Sequence, residues 1–271
     1  MNVLNTTTNH YPYSRSTKSK WAKLYMPLPL ATHRVILLPH ASGSASFFKE
    51  WAALFPAHIE VVCIQYPGRE DRHLELPIED MEILISELSN GIRSYLNKPY
   101  LIFGHSMGGG IAYELYQEIA KRGWQLPERL VISAFEAPSR KHTGSLHEQD
   151  DSLLIDELMR LDGTEIDLRE HPELAKLIIP RMRSDYRLIE TYTPQKSTKK
   201  ISKPIAILVG DKDDELRPGD AEAWQVETTS DFEILRFEGG HFYLQPEKTK
   251  VINALVRFLR AQKTTMWPVM P

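Results

Sequence analysis

Short apolar runs alternate with longer amphipathic stretches along this chain, and the two lengths separate strands from helices. Arg34-Val35-Ile36-Leu37-Leu38 reads as a strand ending at Pro39, and Glu60-Val61-Val62-Cys63-Ile64-Gln65 as a second, stopped by Pro67-Gly68. Residues 78–96 put Ile78, Met81, Ile85, Leu88 and Ile92 on one helical face, and a strand is expected over 99–103. A helix then carries Ile111, Leu115 and Ile119 at helical spacing until Gly123 closes it, and Arg129–Ser133 is the next strand. From about Pro138 to Thr193 no strand pattern appears. Helical patterns run through Asp151–Leu161 and Pro172–Tyr192, with Asp162-Gly163 and Pro180 as expected breaks. Strands resume at 204–209 and 231–237, and a helix over 246–260 closes the pattern.

Strands alternating with helices imply an α/β fold: a mostly parallel central sheet with helices on both faces. The all-helical stretch at about 138–193 is then an insertion above the carboxyl edge of that sheet, a lid. The expected organisation is a polar N-terminal tail over 1–20, one domain over 21–262 and a C-terminal tail over 263–271.

One short stretch changes the picture from architecture to chemistry. Gly104-His105-Ser106-Met107-Gly108 spells G-x-S-x-G at the point where a strand hands over to a helix. In that setting the pattern marks a strained turn that exposes a serine hydroxyl, with glycines allowing strand and helix to approach closely. The bare pattern is common, so its meaning depends on finding a base, an acid and an oxyanion hole elsewhere.

An α/β-hydrolase arrangement orders these as serine, acid, histidine. Ten histidines are present, and His241 occupies the right place, in Glu238-Gly239-Gly240-His241-Phe242, after the last strand and before the last helix. The acid is expected after the strand at 204–209, in Gly210-Asp211-Lys212-Asp213-Asp214, where turn geometry favours Asp213 over Asp211. For the oxyanion hole, the Met107 N–H follows the nucleophile at a helix N-terminus, and the Ala41 N–H lies in the loop after the first strand. His40 reads as structural in that loop, and His105 as a packed neighbour of Ser106.

Composition narrows the remaining classes. At 271 residues, 25% charged and a net charge of −3, the chain has no basic stripe for nucleic acid. No H-E-x-x-H or clustered Cys/His set suggests a metal, and no phosphate-binding loop is present, so no cofactor is expected. The single Cys63 excludes an intrachain disulfide. No run of 18 apolar residues or secretion signal appears, so the expectation is a cytoplasmic protein without a membrane span.

These blocks resemble the type II thioesterases that accompany nonribosomal peptide and polyketide synthetases, and the related medium-chain acyl-carrier thioesterases of fatty acid synthesis. The resemblance rests on Leu38-Pro39-His40-Ala41-Ser42-Gly43-Ser44-Ala45, Trp51, Gln65-Tyr66-Pro67-Gly68-Arg69-Glu70-Asp71-Arg72 and Phe103–Gly109. It continues with Arg183-Ser184-Asp185-Tyr186-Arg187 through Tyr192, and Gly239-Gly240-His241-Phe242-Tyr243. It implies an α/β-hydrolase fold and Ser106–His241–Asp213 hydrolysis of acyl thioesters on the phosphopantetheine arm of a carrier protein or domain. It also implies a lid that shapes the acyl pocket; a monomer is the expected state. A non-catalytic scaffold that binds synthetase modules is the reading from another class. Two positions depart from the family: Ser42-Gly43 stands where two glycines usually follow the oxyanion alanine, and Asp214 stands where proline often follows the acid. Arg69 is expected to pair with Glu70 or Asp71 as a loop anchor, the alternative being that Arg69 and Arg72 touch the phosphate of the arm.

Overall fold

Six parallel strands occupy the centre of the protein, and five of them are buried along nearly their whole length, as a sheet covered on both faces requires. A computed structural model describes residues 19–161, 166–194 and 200–260. Its strands are β1 (Ala22–Lys23), β2 (His33–Leu38), β3 (Ile59–Ile64), β4 (Tyr100–His105), β5 (Arg129–Ser133), β6 (Ile205–Gly210) and β7 (Phe232–Phe237). They form one sheet in the order β1-β3-β2-β4-β5-β6-β7, in which only β1 is antiparallel. The helices are α1 (Met81–Ile92), α2 (Met107–Lys121), α3 (Asp151–Arg160), α4 (Pro172–Thr191) and α5 (Lys248–Arg260).

The strand period of two divides the core. Ile36, Leu38, Val62 and Ile64 face α1 and α2, where Leu88, Ile111 and Leu115 meet them. Val35, Leu37, Val61 and Cys63 face the other way, onto α5 through Val251, Leu255 and Leu259. Cys63 is a free, buried thiol, and desolvation pushes its pKa up to about 12.

The elements expected from sequence are present, with differences of physical origin. The helix expected over 78–96 is shorter, because the Asp80 carboxylate caps it by accepting from the Ile83 N–H at 2.9 Å, and a 3-10 turn over Arg93–Tyr95 ends it. The two-residue β1 has too little sequence to carry a period. Pro180 does not break α4, which runs through it. An interior proline costs about 3 kcal/mol or more. Here it stands on the exposed side, while Ile179 and Met182 bury against Leu154 and Leu168. The terminal tails, apart from Ser19 and Lys20, and the break at Asp162-Gly163 lie outside the described residues.

The sheet order reverses between β2 and its two neighbours, β3 and β4. In open parallel sheets, the crevice at the carboxyl end of such a reversal is where ligands bind. The loops leaving β2 and β4 flank that crevice, with Leu38 in register with Gly104. All of α3 and α4 falls between β5 and β6.

Candidate active site

Ser106 sits at φ +56° and ψ −124°, a region that side chains rarely occupy, between the end of β4 and the start of α2. Two hydrogen bonds hold it there: Ser106 N–H donates to the Ser133 carbonyl at 2.8 Å, and Gly109 N–H donates to the Ser106 carbonyl at 2.6 Å. The glycines on either side are required by contact. A Cβ on Gly104 would lie 1.9 Å from the Gly108 carbonyl oxygen, and one on Gly108 would lie 2.3 Å from that of Leu38. The N-terminus of α2 is thereby pressed against the end of β2, with Met107 as its first residue.

The loops after β6 and β7 interlock through glycine. A Cβ on Gly210 would strike the Gly239 and Gly240 carbonyls, at 2.4 and 2.3 Å, and Gly239 itself has φ +126°. Asp211 ties the two loops by accepting from the Gly239 N–H at 2.9 Å. Asp213 then lies under His241, with Nδ1 3.1 Å from each carboxylate oxygen. Their side chains are only 1% and 5% exposed. A carboxylate accepts and cannot donate, so this pairing puts the imidazole proton on Nδ1 and leaves the Nε2 lone pair free. The His241 ring packs against that of His105, with centroids 5.2 Å apart, which brings it to the elbow.

His40 and His105 sit deeper, and burial changes their chemistry. Desolvation, followed by the charges of His241 and Arg69, lowers the His40 pKa to about 3. Desolvation also holds His105 well below its ordinary value, with His241 and His40 adding to the effect. Both rings are therefore neutral at physiological pH. His105 Nδ1 shares a hydrogen bond with Ser133 Oγ at 2.9 Å, and Ser133 in turn meets the Tyr243 hydroxyl at 2.6 Å. His40 stacks edge-on against Phe47 and Phe242, and its ring would meet any Cβ placed on Gly43.

In the loop after β2, Ser42 N–H and Gly43 N–H both have acceptors, Asp185 Oδ2 at 2.6 Å and the His40 carbonyl at 3.0 Å. Among the described residues, neither the Ala41 N–H nor the Met107 N–H has a protein acceptor. They are donors available to a ligand.

Arg69 is an anchor, but its partner is not Glu70 or Asp71. Its guanidinium donates to Asp185 Oδ1 at 2.7 Å and to the Gly43 carbonyl at 2.7 Å. Glu70 instead accepts from the Ser44 hydroxyl, and Asp71 pairs with Lys23. The reason is burial: Arg69 is 2% exposed and turns inward, whereas its sequence neighbours face water. Arg72 donates to the Gln65 carbonyl and to Glu75, and stacks on Trp21. Asp185 is the residue that reasoning from sequence left without a role. Its signal was present, as a carboxylate on the stripe Ile179, Met182, Asp185, Leu188 that α4 buries.

The thioesterase domain family model matches residues 33–262, which spans every element of the site. The chain belongs to that family. This thioesterase is 33% identical over 234 residues to thioesterase PikA5 of Streptomyces venezuelae, covering 86% of this chain and 83% of that one. It is 32% identical over 228 residues to the gramicidin S biosynthesis protein GrsT of Aneurinibacillus migulanus, covering 84% and 89%. Among solved structures, the type II thioesterase BorB from the borrelidin biosynthetic cluster superposes with a TM-score of 0.82. The two are 39% identical, and the match covers 89% of this chain and 98% of that one. The family's α/β-hydrolase fold and its thioester-hydrolysing activity therefore apply here.

Within this thioesterase, a cavity of about 440 Å³ opens onto His241, lined by Arg160, Lys212, Gly240, Phe242 and Gln245. Among the described residues, no helix is long and apolar enough to cross a membrane, and no group of three or more His, Cys, Asp or Glu is placed to hold a metal.

Proposed function

We infer that this chain is a type II, editing thioesterase that removes aberrant or stalled acyl groups from the phosphopantetheine arm of carrier proteins in nonribosomal peptide or polyketide biosynthesis. The observation that carries the reading is the Asp213–His241 pair beside a strained Ser106 in a chain of the thioesterase family. Free-standing relatives such as GrsT and the type II enzyme BorB, each covered over most of its length, support the editing role.

Ser106 Oγ attacks the thioester carbonyl while His241 Nε2 takes its proton, and Asp213 stabilises the imidazolium that forms. The developing oxyanion accepts from the Ala41 and Met107 N–H groups at the positive end of α2. Collapse of the tetrahedral intermediate expels the pantetheine thiolate, which takes the proton from His241. Water, deprotonated by the same imidazole, attacks the acyl-serine and releases the free acid. The helical insertion over the carboxyl edge of the sheet acts as the lid of this site. No cofactor takes part in these steps.

The test is hydrolysis of acyl-loaded carrier protein, compared with the same acyl group on coenzyme A and as an oxygen ester. Preference for the carrier, abolished by Ser106→Ala, is the expected result. Activity confined to oxygen esters, or undiminished in Ser106→Ala, defeats the reading.

A further inference from the structure

Asp185 belongs to α4, yet its two oxygens serve the loop after β2. Oδ1 accepts from Arg69 Nη2 at 2.7 Å and Oδ2 from Ser42 N–H at 2.6 Å. Arg69 also donates through Nη1 to the Gly43 carbonyl at 2.7 Å, and Gly43 N–H closes a turn onto the His40 carbonyl at 3.0 Å. The Arg69 and Asp185 side chains are 2% and 4% exposed, so neither end of this array is exchanged for water. The loop is held at residues 40, 42 and 43, and the peptide N–H of Ala41 lies between those fixed points.

Ser42 adds a second, independent observation. It has φ +65°, the left-handed region that favours glycine, and a side chain holds that conformation only where its surroundings over-determine it. The hydrogen bond to Asp185 is the contact that does so.

We propose that Arg69 and Asp185 are positioning residues for the oxyanion hole: they aim the Ala41 N–H and make its alignment depend on α4 keeping its place over the sheet edge. This rests on the catalytic reading of Ser106 and Ala41 given above. Displacing the insertion withdraws the acceptor from Ser42 and frees it to leave the left-handed region. The hole is therefore complete only while α4 is seated. Charge matters as well as shape. A carboxylate accepts from both the guanidinium and the Ser42 N–H, whereas an amide has a single oxygen and would turn a donor against another donor.

The experiment uses a trifluoromethyl ketone analogue of a short acyl thioester, whose adduct with Ser106 places an oxyanion in the hole. Its comparator is the matching thioether, which forms no adduct. In Asp185→Asn, ketone affinity and kcat are expected to fall together by about 100-fold, while thioether affinity and KM change by less than about threefold. Arg69→Lys, which keeps the charge but loses the fork to Gly43, reads the same ratio and serves if Asp185→Asn fails to fold. Ile59→Ala, which removes packing at the amino end of β3, away from α4 and the carboxyl edge, is expected to lower the melting temperature and leave the ketone-to-thioether ratio at its wild-type value. A ketone affinity that falls no further than the thioether's in Asp185→Asn overturns the proposal, and so does an equal fall in Ile59→Ala. Failure of the editing reading shows elsewhere, on carrier substrates, because the ketone reads the hole whatever acyl donor is used. Absence of any ketone adduct in the wild type overturns both the Ser106 assignment and the proposal.

Discussion

Both oxygens of Asp213 lie 3.1 Å from His241 Nδ1, whereas the Asp211 carboxylate, two residues earlier, accepts from the Gly239 backbone at 2.9 Å. Two neighbouring acids thus hold separate posts, one facing the imidazole and one tying the β6 and β7 loops. Asp213→Asn is expected to lower kcat on the order of 10⁴-fold, because an amide can stabilise the wrong tautomer and cannot balance an imidazolium. Asp211→Ala is expected to cost about 0.5–1.5 kcal/mol in urea unfolding, because the bond it removes is exposed to water, with kcat kept within about tenfold. Equal losses of kcat in the two variants would contradict this division.

Acid should destabilise the protein through its buried histidines. His40 has a pKa of about 3 in the folded state, against an ordinary 6.5. Between those values the unfolded chain binds a proton that the folded one refuses, so stability is fully present above 6.5 and is lost as pH falls towards 3. His105, also lowered, adds in the same direction. His40→Gln is expected to reduce the slope of unfolding free energy between pH 5.5 and 4.5 by about 1.4 kcal/mol per pH unit. Urea titrations at the two pH values measure it, and unchanged slopes would show that His40 titrates normally.

Two glycines separate conformational cost from steric cost. Gly123 has φ +65°, and no atom lies within 4 Å of the place a methyl would take, so Gly123→Ala is expected to lose about 1 kcal/mol and no activity. Gly104→Ala would drive a methyl into the α2 backbone at 1.9 Å, and is expected to lose about 3 kcal/mol or more, together with hydrolysis. Thermal or urea melts compare them, and similar losses would mean that the elbow has room to relax.

Gly104–Gly108 was readable as an elbow because its chemistry is local: a strand, a turn and a helix in consecutive residues. The positions of His241 and the Asp211–Asp213 turn followed from their places after successive strands, since chain order in a parallel sheet maps onto one edge. The partner of Arg69 was not readable. Asp185 is 116 residues away, and local spacing suggested Glu70 or Asp71 instead. The persistence of α4 through Pro180 was hidden for a related reason. Local propensity argues for a break, and the packing of Ile179 and Met182 that outweighs it comes from other segments.

The sequence by itself determined the parallel strands, the elbow and the family of chemistry, because strand runs, the G-x-S-x-G pattern and the order of the candidate serine, acid and histidine are properties of short stretches and their succession. Only the tertiary structure decided which acid meets the imidazole and what holds the loop after β2. Those choices depend on burial and on hydrogen bonds between distant segments: Asp213 and His241 are shielded together, and Arg69, Asp185 and Ser42 satisfy one another where water cannot. Once a charge is buried its partner is set by three-dimensional proximity, and the order of residues along the chain no longer indicates it.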